Sequence, residues 1–348
     1  MEHNHRSHIW FMAGGFALFL ILFVLFQDQK PSSREEHTLS PSSTSSSTAS
    51  TPVSASSTTA THPLSLSTLF TKTYNGSDFT IGRVLEKNAA YTRYYITYRS
   101  GELTISGIMN VPTGTGPFPV LILNHGHIDT AIYTNGRGLR REQDFFARNG
   151  YIVVHPDYRN HAQSSKDTRD ELAVRISYTE DVINAVYALR AAHLPYVDGE
   201  HIGMLGHSMG GGITLAALVA QPDLIDAAVL YAPVSGDQRK SYERWMSRRP
   251  EAADKIRTLY GEPASTPAFW NSVSAETYYD RIHAPIVIFH GTADKDVPLD
   301  WSKDTERLLT EAGKDARLVI YPNEAHEFGR DWSNFMQQSK ALFDEHLH

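Results

Sequence analysis

The 348-residue sequence contains no cysteine. That excludes a disulfide framework, a thiolate nucleophile and any cysteine-ligated zinc or iron–sulfur site. It also lacks a basic surplus. Its 32 lysines and arginines face 39 aspartates and glutamates, the formal net charge is −7, and no run of five Lys or Arg occurs. A general nucleic-acid binder needs a basic face, so nucleic acid is not an expected partner. Internal repeats are missing, which excludes solenoid arrays. Large apolar residues are nearly absent from Pro31 to Thr61, where the chain reads PSSREEHTLSPSSTSSSTASTPVSASSTTAT. Such a stretch cannot bury enough surface to offset its ordering entropy, so residues 31–65 are expected to form a disordered tether.

What is present is a sizeable apolar fraction, 41% of residues, enough for one large domain. Ahead of the tether stands an uncharged run, IWFMAGGFALFLILFVLF, from Ile9 to Phe26. As a helix it would span roughly 27 Å, close to a hydrocarbon core. No A-x-A cleavage site follows it. Residues 1–30 are therefore read as an uncleaved signal anchor with its flanks. The expectation is a single-pass membrane protein whose domain, residues 66–348, lies on the extracytoplasmic side. His3, His5 and His8 are read as a solvated flank of that span.

Within residues 66–348 the pattern is globular. Tyr94–Pro112 alternates about a Ser-Gly turn and suggests an antiparallel hairpin. Continuous apolar runs then alternate with helical periodicity: FPVLILN, YIVVHP, HIGMLGH, IDAAVLY, PIVIFHG and ARLVIY are the strands. The fold class expected is α/β, a mostly parallel central sheet with helices on both faces. In such sheets functional residues sit in the loops leaving the carboxyl ends of the strands. One segment breaks the alternation, Asp237 to about His283, and is read as an inserted helical cap.

The chemistry gathers at three strand ends. GHSMG places Ser208 between glycines at the junction of a strand and a helix. The G-x-S-x-G pattern alone is commonplace, but this setting is that of a nucleophile elbow. A serine hydroxyl needs a base to take its proton, and the base needs a partner to fix its tautomer. Asp294 follows the strand PIVIFHG and His326 follows ARLVIY, in the chain order Ser, Asp, His. The loop LNHGH ends an earlier strand. It suggests an oxyanion hole built from the backbone N–H of His127 and that of Met209, the residue after the serine. A metal at His125 and His127 is not expected, because no further ligands are spaced to complete it. Tyr158 and Arg159, in another strand-exit loop, are candidate substrate contacts. So are Trp245 and Trp270 of the cap, whose basic stretch RKSYERWMSRRP reads either as a carboxylate-capturing wall or as a solvated helix face.

From about Tyr94 onward the sequence resembles the α/β-hydrolases, and is similar in particular to the catalytic domain of the prolyl oligopeptidase family of serine peptidases. The matching stretches are LNHGH, VVHPDYR, GHSMGG, HGTADKDVP and AHEF. The resemblance implies Ser208, Asp294 and His326 as a catalytic triad. It also implies cleavage of peptide bonds through an acyl-enzyme, without a cofactor. Related esterases and dienelactone-hydrolase-like enzymes carry the same motifs, so carboxylic esters are the alternative. A non-catalytic binding module on a hydrolase scaffold is a further one. Two features depart from the family. Nothing in this chain could form its N-terminal β-propeller, and Asn160 replaces the usual glycine after DYR.

Overall fold

A computed structural model describes residues 61–348. The apolar run Ile9–Phe26 and all but the end of the 31–65 tether lie outside the described residues. Among the described residues, 61–348, no helix is long and apolar enough to cross a membrane.

Nine strands form one sheet: β1 (Thr80–Lys87), β2 (Tyr91–Ser100), β3 (Leu103–Pro112), β4 (Phe118–Asn124), β5 (Ile152–Pro156), β6 (Val197–His207), β7 (Ala227–Tyr231), β8 (Ile286–Gly291) and β9 (Ala316–Tyr321). Their order across the sheet is β1-β2-β3-β5-β4-β6-β7-β8-β9. The first three strands pair antiparallel, β3 joins β5 antiparallel, and every pairing from β5 through β9 is parallel. β4 lies between β5 and β6, so the chain winds one way from β4 and then the other. That reversal opens the crevice in which open α/β sheets place their ligands.

The parallel strands are apolar throughout because both faces are covered. On β4, Val120 and Ile122 join one core while Leu121 and Leu123 join the other. On β7, Ala228 and Leu230 alternate with Ala227, Val229 and Tyr231 in the same way. The first face is packed by α2 (Glu171–Ala191), α3 (Met209–Ala220) and α7 (Leu299–Glu311), the second by α1 (Arg140–Arg148) and α8 (Trp332–Leu347). Asp170 caps α2, its side chain accepting the Ala173 N–H at 3.1 Å.

Between β7 and β8 the chain is helical: α4 (Gln238–Ser241), a turn of wider π geometry (Tyr242–Met246), α5 (Pro250–Tyr260), α6 (Pro267–Ser272) and a 3-10 stretch (Ala275–Arg281). Pro250 and Pro267 open their helices at the first positions, where a missing N–H costs nothing. The first described residues pack on this layer. His62 sits edge-on to Tyr260 and Phe269, and the Ser65 hydroxyl donates to the Ser272 carbonyl at 3.3 Å.

Candidate active site

Ser208 occupies the turn from β6 into α3. Its backbone has φ 55° and ψ −119°, a left-handed conformation that non-glycine residues avoid. The turn survives because its surroundings fix it. The Ser208 N–H donates to the Tyr231 carbonyl at 2.9 Å, and the Ser208 carbonyl accepts from Gly211 and Val234, each at 3.0 Å. Glycine is required at Gly210, where a Cβ would collide with the Asn124 carbonyl oxygen. The helix therefore rises close against β4, and Ser208 stands half-exposed at the sheet's carboxyl edge.

Asp294 and His326 meet across the exits of β8 and β9. His326 Nδ1 lies 2.7 Å from Asp294 Oδ2. The other carboxylate oxygen, Oδ1, accepts the backbone N–H groups of Asp296 at 2.8 Å and Val297 at 2.9 Å. His290 adds a second histidine, its Nε2 3.2 Å from Asp294 Oδ2 while its Nδ1 meets the Ser302 hydroxyl at 2.7 Å. Burial by itself would raise the Asp294 carboxyl. The bonds from His290, His326 and Val297 outweigh it and hold the group well below the usual carboxylate range. Asp294, Asp296 and His326 are also the one acid–histidine group among the described residues whose atoms come close enough to hold a metal ion. Two of its three members are already bonded to each other, and Asp296 is exposed.

His207 supports the histidine from behind. Its ring packs 4.6 Å from that of His326, and its Nε2 donates to the His326 carbonyl at 3.1 Å. Burial, then the neighbouring His326, pushes the His207 imidazole down to about 3, so it stays neutral. Neither His207 nor His290 was expected from motif reasoning. Both lie at the carboxyl end of a strand, where functional side chains of such sheets gather.

The loop after β4 brings Gly126 against Ser208, close enough that a Cβ on Gly126 would stand 3.1 Å from the serine Cβ. Met209 opens α3, where an N–H has no partner within the helix. Among the described residues, neither the His127 nor the Met209 N–H donates to a backbone acceptor in a turn or loop. His125 packs the loop instead, its ring stacked 4.2 Å from Tyr158.

A cavity of about 280 Å³ opens beside Ser208, walled by α2, α3, the helical layer and Leu66. Ile176, Ile213, Ala216, Met246 and Val273 make it apolar, and Trp245 also lines it. The other three candidate contacts do not line it. Trp270 is fully buried against Tyr242, and its Nε1 donates to the Gly261 carbonyl at 3.3 Å, so it packs the layer's core. Tyr158 is fully buried under His125, its hydroxyl donating to the His125 carbonyl at 3.3 Å. Arg159 turns away from the cavity and grips Asp181, Nε to Oδ2 at 2.9 Å and Nη2 to Oδ1 at 2.7 Å. Removing one partner of so buried a pair costs about 3–5 kcal/mol, a structural role. Asn160 takes φ 70°, a left-handed conformation that asparagine tolerates, and its side chain bonds both main-chain groups of Asp167. It thus takes a conformation that glycine adopts freely.

Residues 137–348 match the model of the prolyl oligopeptidase family. The uncharacterized peptidase YtmA of Bacillus subtilis is 25% identical over 243 residues, 68% of this chain and 86% of its own length. Among solved structures, the acylaminoacyl peptidase of Pyrococcus horikoshii superposes with a TM-score of 0.61 at 22% identity, covering 74% of this chain and 42% of that one. Acetyl xylan esterase 1 from Thermoanaerobacterium sp. gives the same score at 16% identity, covering 80% and 92%. These two likenesses establish the α/β-hydrolase fold. The match across residues 137–348, together with this fold, places the chain in the prolyl oligopeptidase family.

Proposed function

We propose that the chain is a serine hydrolase in which Ser208 attacks a carbonyl carbon and His326 takes its proton. Asp294 orients the imidazole and stabilises it when charged. The N–H groups of His127 and Met209 receive the oxyanion. His326 then protonates the leaving group, and water releases the acyl group from Ser208 by the same path in reverse. The observation that carries this reading is the 2.7 Å bond between His326 and the buried carboxylate of Asp294, set beside a left-handed Ser208. Family membership favours peptide bonds as substrates. Esters are the second reading, favoured by the small apolar cavity and by the 92% coverage of an acetyl xylan esterase chain.

A fluorophosphonate probe tests the nucleophile. It should label the protein covalently and fail on Ser208→Ala; labelling that survives assigns the chemistry to another residue. Rates on 4-nitrophenyl esters beside aminoacyl- and dipeptidyl-anilides then decide between the two bond types. We also propose that Ile9–Phe26 anchors the chain in a membrane with the hydrolase domain outside. The uncharged apolar run and the Ser/Thr/Pro-rich stretch after it support this.

A further inference from the structure

The cavity beside Ser208 has a charge pattern that its apolar walls do not require. Two of its lining residues carry full charge, Arg175 from α2 and Arg249 from the start of α5, and none of them is acidic. One carboxylate serves both arginines. Glu171 Oε1 accepts from Arg175 Nε at 2.8 Å and from Arg249 Nη2 at 2.5 Å. Two positive charges against one negative leave the wall with a surplus of one. That surplus faces a low-polarity space, where a charge is felt more strongly than in water.

Arg175 also touches the side chains of the two residues whose N–H groups are proposed to hold an oxyanion. Its Nη2 lies 3.5 Å from His127 Nδ1, and its Nη1 lies 3.1 Å from Met209 Sδ. A guanidinium has five donors, and a thioether is a weak acceptor. Glu171 takes the Nε and Nη2 side, so the Nη1 edge presents hydrogens to the cavity with only sulfur to receive them. The side chain is about one-fifth exposed, and Arg249 about half, so both are within reach of a bound molecule. The same field reaches the His127 imidazole. Desolvation and then Arg175 push it down to about 4, which keeps a competing cation out of the site.

Resting on the serine-hydrolase reading above, we propose that the substrates of this site carry a carboxylate within a few bonds of the scissile carbonyl, held between Arg175 and Arg249. The apolar part of the same molecule fills the space between Ile213, Met246 and Val273. Arg175 binds the anion through the edge that now faces Met209. Arg249 approaches it from the half-exposed side, and Glu171, bonded to both through Oε1, holds the two guanidinium groups side by side. A neutral substrate of equal size would fill the apolar part and leave Arg175 facing sulfur.

The test uses matched pairs and the full chain. On the acyl side, 4-nitrophenyl hydrogen adipate is compared with 4-nitrophenyl hexanoate. On the leaving-group side, 4-acetoxybenzoate is compared with its methyl ester. In at least one pair the anion should be favoured in kcat/KM by tenfold or more. Arg249→Gln and Arg175→Gln should each cut that ratio at least tenfold, and Glu171→Gln should preserve or raise it. Equal rates within both pairs, or a ratio unmoved by both arginine variants, overturns the proposal while leaving the hydrolase reading intact. Equal slowing of anion and neutral partner by Arg175→Gln also overturns it, because the charge then serves the oxyanion alone. Calorimetry on Ser208→Ala with 4-phenylbutyrate and its methyl ester reads the same preference without turnover. Should no ester or anilide be hydrolysed, the hydrolase reading falls, and the carboxylate preference stands or falls on that binding comparison.

Discussion

Replacing Asp294 by asparagine is the sharpest perturbation of the proposed chemistry, because each of its oxygens has a separate task. Oδ1 holds the loop through the N–H groups of Asp296 and Val297, and Oδ2 faces His326 and His290. Asparagine has one acceptor oxygen and one donor amide. The loop bonds demand the oxygen, so the amide must face His326 Nδ1. That nitrogen then accepts instead of donating, and the imidazole proton moves to Nε2, where it cannot take the serine proton. In serine proteases the corresponding change costs about 10⁴ in kcat. Here His290 and His207 still hold the neighbouring frame, so the expected loss is roughly 10²–10⁴, or about 2.7–5.5 kcal/mol in barrier. Asp296→Asn changes an exposed side chain whose main-chain N–H does the bonding, and should cost less than about tenfold. The assay is kcat for both variants on one activated ester, with circular dichroism to show that both are folded. A crippled Asp296→Asn beside a healthy Asp294→Asn would refute the reasoning.

The same carboxylate makes stability depend on pH. Its folded value lies below its unfolded value of about 4, so its stabilisation is complete above about pH 4 and is lost as pH falls through the depressed folded value. The Tm gap between wild type and Asp294→Asn should therefore be wide at pH 6 and shrink toward pH 3; a gap that widens on acidification contradicts this. Trp270→Ala should lower stability in urea by about 3–5 kcal/mol, as for a large buried aromatic. Trp245→Ala should leave stability nearly unchanged and alter relative rates across an ester size series. Equal stability losses in the two tryptophan variants would show that both pack the core. On intact cells, external protease should release the hydrolase domain by cutting in the Ser/Thr-rich stretch. Protection until lysis would put the domain on the other side.

The parallel strands and the serine turn were legible because their signals are local. Apolar runs such as FPVLILN need no tertiary information to read as buried, and GHSMG carries its turn in its glycines. β1 escaped notice because most of TIGRVLEK faces solvent at a sheet edge, so no apolar alternation marks it. Tyr158 and Arg159 misled for a different reason. A strand exit says which loop reaches the site, not which way a side chain turns. With Tyr158 at φ 63°, the loop folds the tyrosine inward and sends Arg159 to Asp181. Arg175 was invisible because α2 is buried over most of its length and reads as a core helix. Its position at the cavity depends on α3 and the helical layer meeting there.

Leu66 gives the cavity an unusual boundary condition. It is a wall residue, buried to 1% exposure, yet it belongs to the lead-in segment before the first strand. The outer end of that segment is held by the rings around His62 and a hydroxyl from Ser65, and its inner end by Leu66 and Leu69 in the core and by Phe70 against Tyr278. A tension applied along the lead-in would reach the substrate compartment before it reached the sheet. The attachment of residues 61–65 to the helical layer thus becomes a variable of the site's selectivity. A fragment cut at Leu66 keeps the wall but loses the fastening at His62, and its pocket would admit bulkier molecules than that of the full chain.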